Sequence, residues 1–428
     1  MNDFVGRAKE VLSSALVIHT DIMVKRAHGV YVEDVGGRKY MDFTSGLATT
    51  CTGHNHPKVV EAIKKQAELF VHSGCIFYYE PLLALAEKLA RVAPPGLDMV
   101  FFSNAGAEAV EGAIKLARFH TGRQGIIAFT GAFHGRTFGA ASLTTSNIKY
   151  RRKYHPFLPA VYHSPYPYCF RCFFGQRAGS CSMDCYEYLG RLFKHLIPPE
   201  EVACIIMEPV LGEGGYVVPP AEFLRKLRAF CDKWNILLIF DEVQSGMGRT
   251  GKWFASEHFG VVPDIMTVAK GIASGMPLSA VVSGRKIMGQ WPPGAHGTTF
   301  GGNPVSCAAG IATIGVIEDE GLLGNAAAAG DYALQRLLRM KERHRCIGDV
   351  RGLGLMIGIE FVTNGLEPDS EGLKKIIGYC AQKGLILLEC GVDRNIIRFA
   401  PPLVVTTEEV QRGLDILEEA IDNTMGGC

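Results

Sequence analysis

Ile236-Leu237-Leu238-Ile239-Phe240-Asp241 and Ile265-Met266-Thr267-Val268-Ala269-Lys270 decide the reading of this chain. Each is a short apolar run with no alternation, and each closes on a charge. Continuous hydrophobicity over so few residues suits a strand buried on both faces, as in a parallel sheet covered by helices. Met99-Val100-Phe101-Phe102, Ile126-Ile127-Ala128-Phe129 and Ala203-Cys204-Ile205-Ile206-Met207 have the same character. The fold class is therefore α/β, with a mostly parallel central sheet. In such sheets a ligand binds just beyond the carboxyl ends of the strands, so the polar residues that end the runs are the first site candidates.

The connection between the first two runs reads as a helix. Val110, Ala113, Ile114 and Ala117 recur at helical spacing, and Glu111 and Lys115 are placed to pair across one turn. At 428 residues the chain exceeds what one core holds at about 150 residues per domain. We expect a large domain over 51–310, with a cysteine-rich insertion at about 163–190, and a small α+β domain over 311–428. Val350 to Glu360 and Ile396 to Phe399 read as its strands, and 371–383 and 407–423 as its helices. Residues 1–50, with the turn Asp34-Val35-Gly36-Gly37-Arg38, join the small domain.

Apolar residues make up 47% of the chain and charged residues 20%, and 44 basic side chains nearly cancel 43 acidic ones. That balance argues against nucleic acid or an anionic membrane as partner. Met1 to Glu10 has no basic stretch followed by an apolar core, and no apolar run is long enough to span a bilayer, so a cytoplasmic enzyme is expected.

An ionised Asp241 at the end of the most apolar run is costly unless a cation meets it, either in a capping or salt-bridged role or against a protonated pyridine nitrogen. A partly buried Lys270 amine has a lowered pKa and forms an imine with a carbonyl. Ser103-Asn104-Ala105-Gly106-Ala107 joins a strand to a helix, where first-turn N–H groups and the helix dipole favour phosphate. Two nucleotide motifs are only apparent. Gly246 to Lys252 is followed by Trp253 where a Ser or Thr must hold magnesium, and Gly352-Leu353-Gly354 runs into a strand-like segment.

Taken together, Phe240-Asp241-Glu242-Val243-Gln244-Ser245-Gly246-Met247-Gly248-Arg249-Thr250-Gly251, then Ala269-Lys270-Gly271, then Thr298-Thr299-Phe300-Gly301-Gly302-Asn303-Pro304, resemble the signature of the class III (ω-amino acid) aminotransferases of pyridoxal-phosphate (PLP) fold type I. Lys270 follows Asp241 by 29 residues, and Thr299 follows Lys270 by 29, as the resemblance requires. The likeness runs from about His28 to Thr406. It implies that Lys270 carries the cofactor and later moves the substrate proton, and that Asp241 meets the pyridine nitrogen. By the same likeness Gln244 lies near the ring hydroxyl, Val243 and Phe133 sandwich the ring with His134 beside Phe133, and Gly106 and Ala107 hold the phosphate through N–H groups. Thr299 resembles the threonine that reaches the phosphate of the neighbouring subunit, which implies a homodimer with a shared site. One departure is that positions 105 and 107, often Ser or Thr in the family, are both Ala here.

On the substrate side, Arg136 resembles the arginine that takes a carboxylate bidentately, Arg398 the second arginine, and Glu213 the glutamate that masks it. The last pair would equally serve as a structural salt bridge. The resemblance points to transfer of an amino group from an ω-amino acid, 4-aminobutyrate first, to 2-oxoglutarate. Phe77-Tyr78-Tyr79-Glu80-Pro81 sits closer to the 4-aminobutyrate branch than to the N-acetylornithine branch. The alternatives are N-acetylornithine aminotransferase and the racemases and epimerases of the same family, which keep the lysine and the cofactor.

Cys169, Cys172, Cys181 and Cys185 have the spacing of a tetrahedral zinc or iron–sulfur site. Reduced thiols or a single disulfide account for the same four residues.

Overall fold

The apolar runs become strands because each can bury both faces, and the computed structural model arranges them in three sheets. It describes residues 4–177 and 179–425. Near the N-terminus, β1 (Val24–His28), β2 (Tyr31–Asp34) and β3 (Lys39–Asp42) form an antiparallel meander. Then come β4 (Met99–Ser103), β5 (Gly125–Phe129), β6 (Val161–Ser164), β7 (Val202–Met207), β8 (Leu237–Asp241), β9 (Ile265–Val268) and β10 (Ser279–Ser283). These seven make one sheet in the order β4-β10-β9-β8-β7-β5-β6. All five runs singled out in the sequence lie in this sheet, and β10 alone runs against its neighbours.

The remaining strands are β11 (Ile347–Leu353), β12 (Met356–Phe361), β13 (Leu385–Ile386), β14 (Leu388–Cys390) and β15 (Ile396–Phe399). The stretch Val350 to Glu360, continuous in the sequence, folds into two strands. Gly354, at φ +51°, turns the chain, and β11 pairs antiparallel with β12. The sheet β11-β12-β15-β14 carries Arg398. β3 pairs in parallel with β13, which ties the first fifty residues to the C-terminal part. Helices Ser370–Gln382 and Thr407–Thr424 flank these strands, the second opened by a capping box of Thr406 and Glu409.

Helix Gly106–Thr121 packs Val110, Ala113, Ile114 and Ala117 against the large sheet. The Glu111–Lys115 pair expected on its outer face does not form. Glu111 accepts instead from Thr137 Oγ1 and the Ala140 amide, and Lys115 donates to the Ala295 carbonyl and meets His296. Tertiary partners outcompete a helix-surface pair worth only a few tenths of a kcal/mol. Among the described residues no helix is long and apolar enough to cross a membrane.

Candidate active site

Five strands of the large sheet deliver their carboxyl ends to one place. A cavity of about 550 Å³ opens there, lined among others by Ala105, Gly106, Ala107, Phe133, His134, Arg136, Glu208, Asp241, Val243, Gln244 and Lys270. Residues far apart in sequence meet because a parallel sheet points every strand the same way.

Lys270 sits two residues past β9, with a left-handed backbone at φ +45°. An L-residue adopts that conformation only where its surroundings hold it, at a cost on the order of 1–2 kcal/mol. Its side chain is half-buried in the cavity wall, and desolvation first, then the positive Arg398, lowers its pKa to about 8. Near neutrality roughly a tenth is uncharged and nucleophilic, far more than for an ordinary lysine.

Asp241, at the end of β8, is 3% exposed. One oxygen accepts from His134 Nδ1 at 2.7 Å, the other from Thr267 Oγ1 at 3.0 Å and the Val243 amide at 3.1 Å. Three donors satisfy a buried carboxyl group and fix its aim. His134, expected beside Phe133, is also bonded to Asp241.

The residues fit the cofactor that the sequence implies. Helix Gly106–Thr121 begins after Ala105 with no side-chain cap, so its first-turn N–H groups have neither an intrahelical nor a side-chain acceptor. A Cβ at Gly106 would lie 3.0 Å from Val243 Cγ1, so glycine lets the loop close against the wall that Val243 makes. Gln244 Oε1 is buried without a protein partner. A planar ring with a phosphate arm and a phenolic oxygen matches this donor set.

Thr299 lies elsewhere. It is exposed and lines a second cavity with Phe70, His72, Phe77 and Tyr79, while its neighbour Thr298 accepts from Asn104 Nδ2 at 3.2 Å. On the substrate side, Arg136 lies over the Tyr150 ring at 4.8 Å and the Phe133 ring at 5.8 Å. The structure brings Glu213 and Arg398 together: Arg398 Nη2 donates to Glu213 Oε2 at 2.6 Å. Tyr150 bridges to the cavity by donating to Glu213 Oε1 at 3.2 Å.

Two residues escaped the sequence reading. Tyr150 carries no local signal. Glu208 does, because it ends the run of β7 as Asp241 ends that of β8. Glu208 is buried, and its oxygens accept from the Phe133 and Gly212 amides, each at 2.8 Å. Burial raises its pKa above the usual carboxylate range.

The expectation of a tetrahedral metal at Cys169, Cys172, Cys181 and Cys185 is not met. All four are free thiols, and among the described residues no group of three or more His, Cys, Asp or Glu is placed to hold a metal ion. Cys181 is exposed on the loop, and Cys185 packs with Tyr186 and Tyr188 against the apolar core. Burial pushes the Cys185 thiol up to about 11, and the nearby Cys169 and Cys172 push it the same way.

Comparison with known proteins places this geometry. The alanine/serine racemase of Pyrococcus horikoshii is 42% identical over 99% of this chain and 91% of its own length. The probable 4-aminobutyrate aminotransferase of Bacillus subtilis is 40% identical over 92% of each chain. An amine transaminase from an uncultivated Pseudomonas species, solved with PLP bound, superposes with a TM-score of 0.89 at 30% identity, covering 97% of this chain and 98% of that one. The family model for class III aminotransferases matches residues 13–421. With that match running through every residue that lines the cavity, the chain belongs to the class III aminotransferases.

Proposed function

We propose that the protein transfers the amino group of an ω-amino acid, 4-aminobutyrate first, to 2-oxoglutarate, using PLP and working as a cytoplasmic homodimer. The observation that carries this reading is the Glu213–Arg398 pair at 2.6 Å beside a cavity that also holds Arg136. An ω-amino acid offers one carboxylate far from its amine. Arg136 takes that carboxylate while Glu213 neutralises Arg398. 2-Oxoglutarate brings two carboxylates, so Glu213 swings aside and frees Arg398 for the second. Bound PLP supplies a ring that draws electrons from the substrate's amine-bearing carbon. Lys270 anchors it and moves the proton at that carbon, and Asp241, steadied by His134 and Thr267, keeps a negative charge toward the ring. Phe133 and Val243 would flank the ring, with Gln244 near its hydroxyl and Gly106 and Ala107 holding the phosphate. Support for the homodimer comes from a bare apolar surface around Thr299: Ile76 is 78% exposed, Phe77 71% and Phe300 60%.

The test separates the two half-reactions in single turnovers. In Glu213→Gln, Arg398 stays uncompensated when the mono-carboxylate donor binds, and kcat/KM for 4-aminobutyrate should fall by roughly one to two orders of magnitude. The 2-oxoglutarate half-reaction should hold or quicken. Arg398→Ala should show the reverse bias. Equal losses in both half-reactions for both variants would reduce the pair to a structural salt bridge.

Racemisation is the second reading, favoured by the 42% identity to a relative named alanine/serine racemase. Incubation with a single L-amino acid, with and without 2-oxoglutarate, separates the two: the D-enantiomer forms without acceptor in one case, glutamate forms with acceptor in the other.

The lowered Lys270 pKa gives a pH signature. The neutral amine reacts, so capture of added PLP by the apoprotein should rise with pH through about 8 and level off above it. Arg398→Ala removes a charge that lowers this pKa, and should move the midpoint upward. A rate flat across that range, followed by stopped-flow absorbance, would contradict the assignment.

A further inference from the structure

The cysteine-rich insertion holds no ligand-like arrangement of its thiols among the described residues, yet its first residues reach a buried ionic cluster next to the Glu213 turn. Glu360 on β12 is fully buried, and both Tyr168 OH and Arg171 Nε of the insertion donate to it. Arg351 on β11 joins the same cluster. Its Nη1 donates to Asp349 and Glu360, each at 2.8 Å, and its guanidinium lies over the Tyr168 ring at 4.7 Å. Its Nη2 donates to Tyr168 OH and to the carbonyl oxygen of Gly215, each at 2.7 Å.

Gly215 stands two residues from Glu213 in a turn pinned on several sides. Glu208 accepts from the Gly212 amide at 2.8 Å. The Gly391 amide donates to the Glu213 carbonyl at 2.8 Å, which ties the turn to the segment that leads into β15 and Arg398. A Cβ at Gly215, whose φ is +131°, would lie 2.7 Å from Ile396 Cδ1 and 3.3 Å from Arg351 Nη2, so only glycine fits there. Of these restraints, the one on Gly215 leads through Arg351 to the insertion.

We propose that Arg351, held by Tyr168 and Glu360, is a positioning residue for Glu213: it fixes the Gly215 carbonyl and so sets how readily Glu213 leaves Arg398. The insertion thereby takes part in choosing between mono- and dicarboxylate substrates. This rests on the reading of Glu213 and Arg398 as a substrate switch. A rigid turn keeps Glu213 on Arg398 and favours the ω-amino acid, whereas a loosened turn lets Glu213 depart and favours 2-oxoglutarate.

The experiment uses the holoenzyme and measures kcat/KM of each half-reaction in single turnovers for Tyr168→Phe, Arg351→Lys, Glu213→Gln and the double variant Tyr168→Phe/Glu213→Gln. Tyr168→Phe keeps the ring under Arg351 and removes only the hydroxyl, so it disturbs packing least. It should lower the ratio of 4-aminobutyrate to 2-oxoglutarate kcat/KM by roughly three- to tenfold, with Arg351→Lys shifting it the same way. Added to Glu213→Gln, Tyr168→Phe should leave the ratio where Glu213→Gln alone puts it, because the side chain it positions is already disabled. Equal changes in both half-reactions, or a further shift in the double variant, would overturn the proposal while the switch stands. A Glu213→Gln variant without bias between the half-reactions would overturn the switch itself, and the positioning role with it.

Discussion

Lys270→Ala should abolish amino-group transfer and leave the fold intact. The loss should cover most of the acceleration the enzyme provides, at least about a millionfold, because among the described residues no other lysine lines the cavity to anchor the cofactor or carry the proton. Stability should change little. The left-handed backbone at φ +45° is no harder for alanine than for lysine, and the substitution removes a half-buried amine whose charged form is disfavoured there. Borohydride treatment of the wild type should fix PLP on the peptide that contains residue 270, and the variant should show no such label. A labelled peptide lacking residue 270 would displace Lys270 from its role, as would a variant that keeps more than a trace of activity.

The elements legible in the sequence are those where one physical cause dominates. β5, β7, β8 and β9 announce themselves because burial on both faces demands unbroken hydrophobicity, and β4 carries the same apolar run although it lies half-buried at the sheet edge. β10, Ser279 to Ser283, is just as buried, but its serines at each end break the apolar signal. Its reversed direction follows from tertiary pairing that no local pattern encodes. Asp241 and Lys270 stood out as charges that end such strands, and Glu208 would have followed from the same rule applied once more. Phe133, His134, Arg136 and Gln244 came only with the family resemblance, since nothing in their neighbourhood marks them. The bonds that organise the site join residues widely separated in the chain: His134 to Asp241, Tyr150 to Glu213, Arg351 to Gly215. Chain order carries no trace of these pairings, because the sheet topology creates them. The four cysteines show the opposite failure: the spacing has the rhythm of a metal site and the thiols raise one another's pKa, yet among the described residues they are not placed to hold a metal ion.

Asp241→Asn should retain PLP and the fold but lose roughly a thousandfold in rate, equivalent to about 4 kcal/mol in the barrier. The substitution is nearly isosteric. An asparagine oxygen can keep accepting from Thr267 Oγ1 and the Val243 amide, as Asp241 Oδ1 does at 3.0 and 3.1 Å. The new amide NH₂ would then face His134 Nδ1, where the carboxylate now accepts at 2.7 Å, and the imidazole can answer by moving its proton to Nε2 and accepting instead. The geometry thus survives through a change of tautomer, and what disappears is the negative charge toward the ring. Without it the pyridine nitrogen is no longer held protonated, and the ring withdraws electrons poorly just when the substrate carbon gives up its proton. The loss should fall on kcat in both half-reactions alike, which separates it from the unequal effects at Glu213 and Arg398. His134→Phe gives the companion measurement: it leaves the Asp241 charge in place but removes its donor, so its loss should be smaller than that of Asp241→Asn. A fall in kcat of less than about tenfold in Asp241→Asn, with PLP bound stoichiometrically, would mean that Asp241 is not the partner of the ring nitrogen.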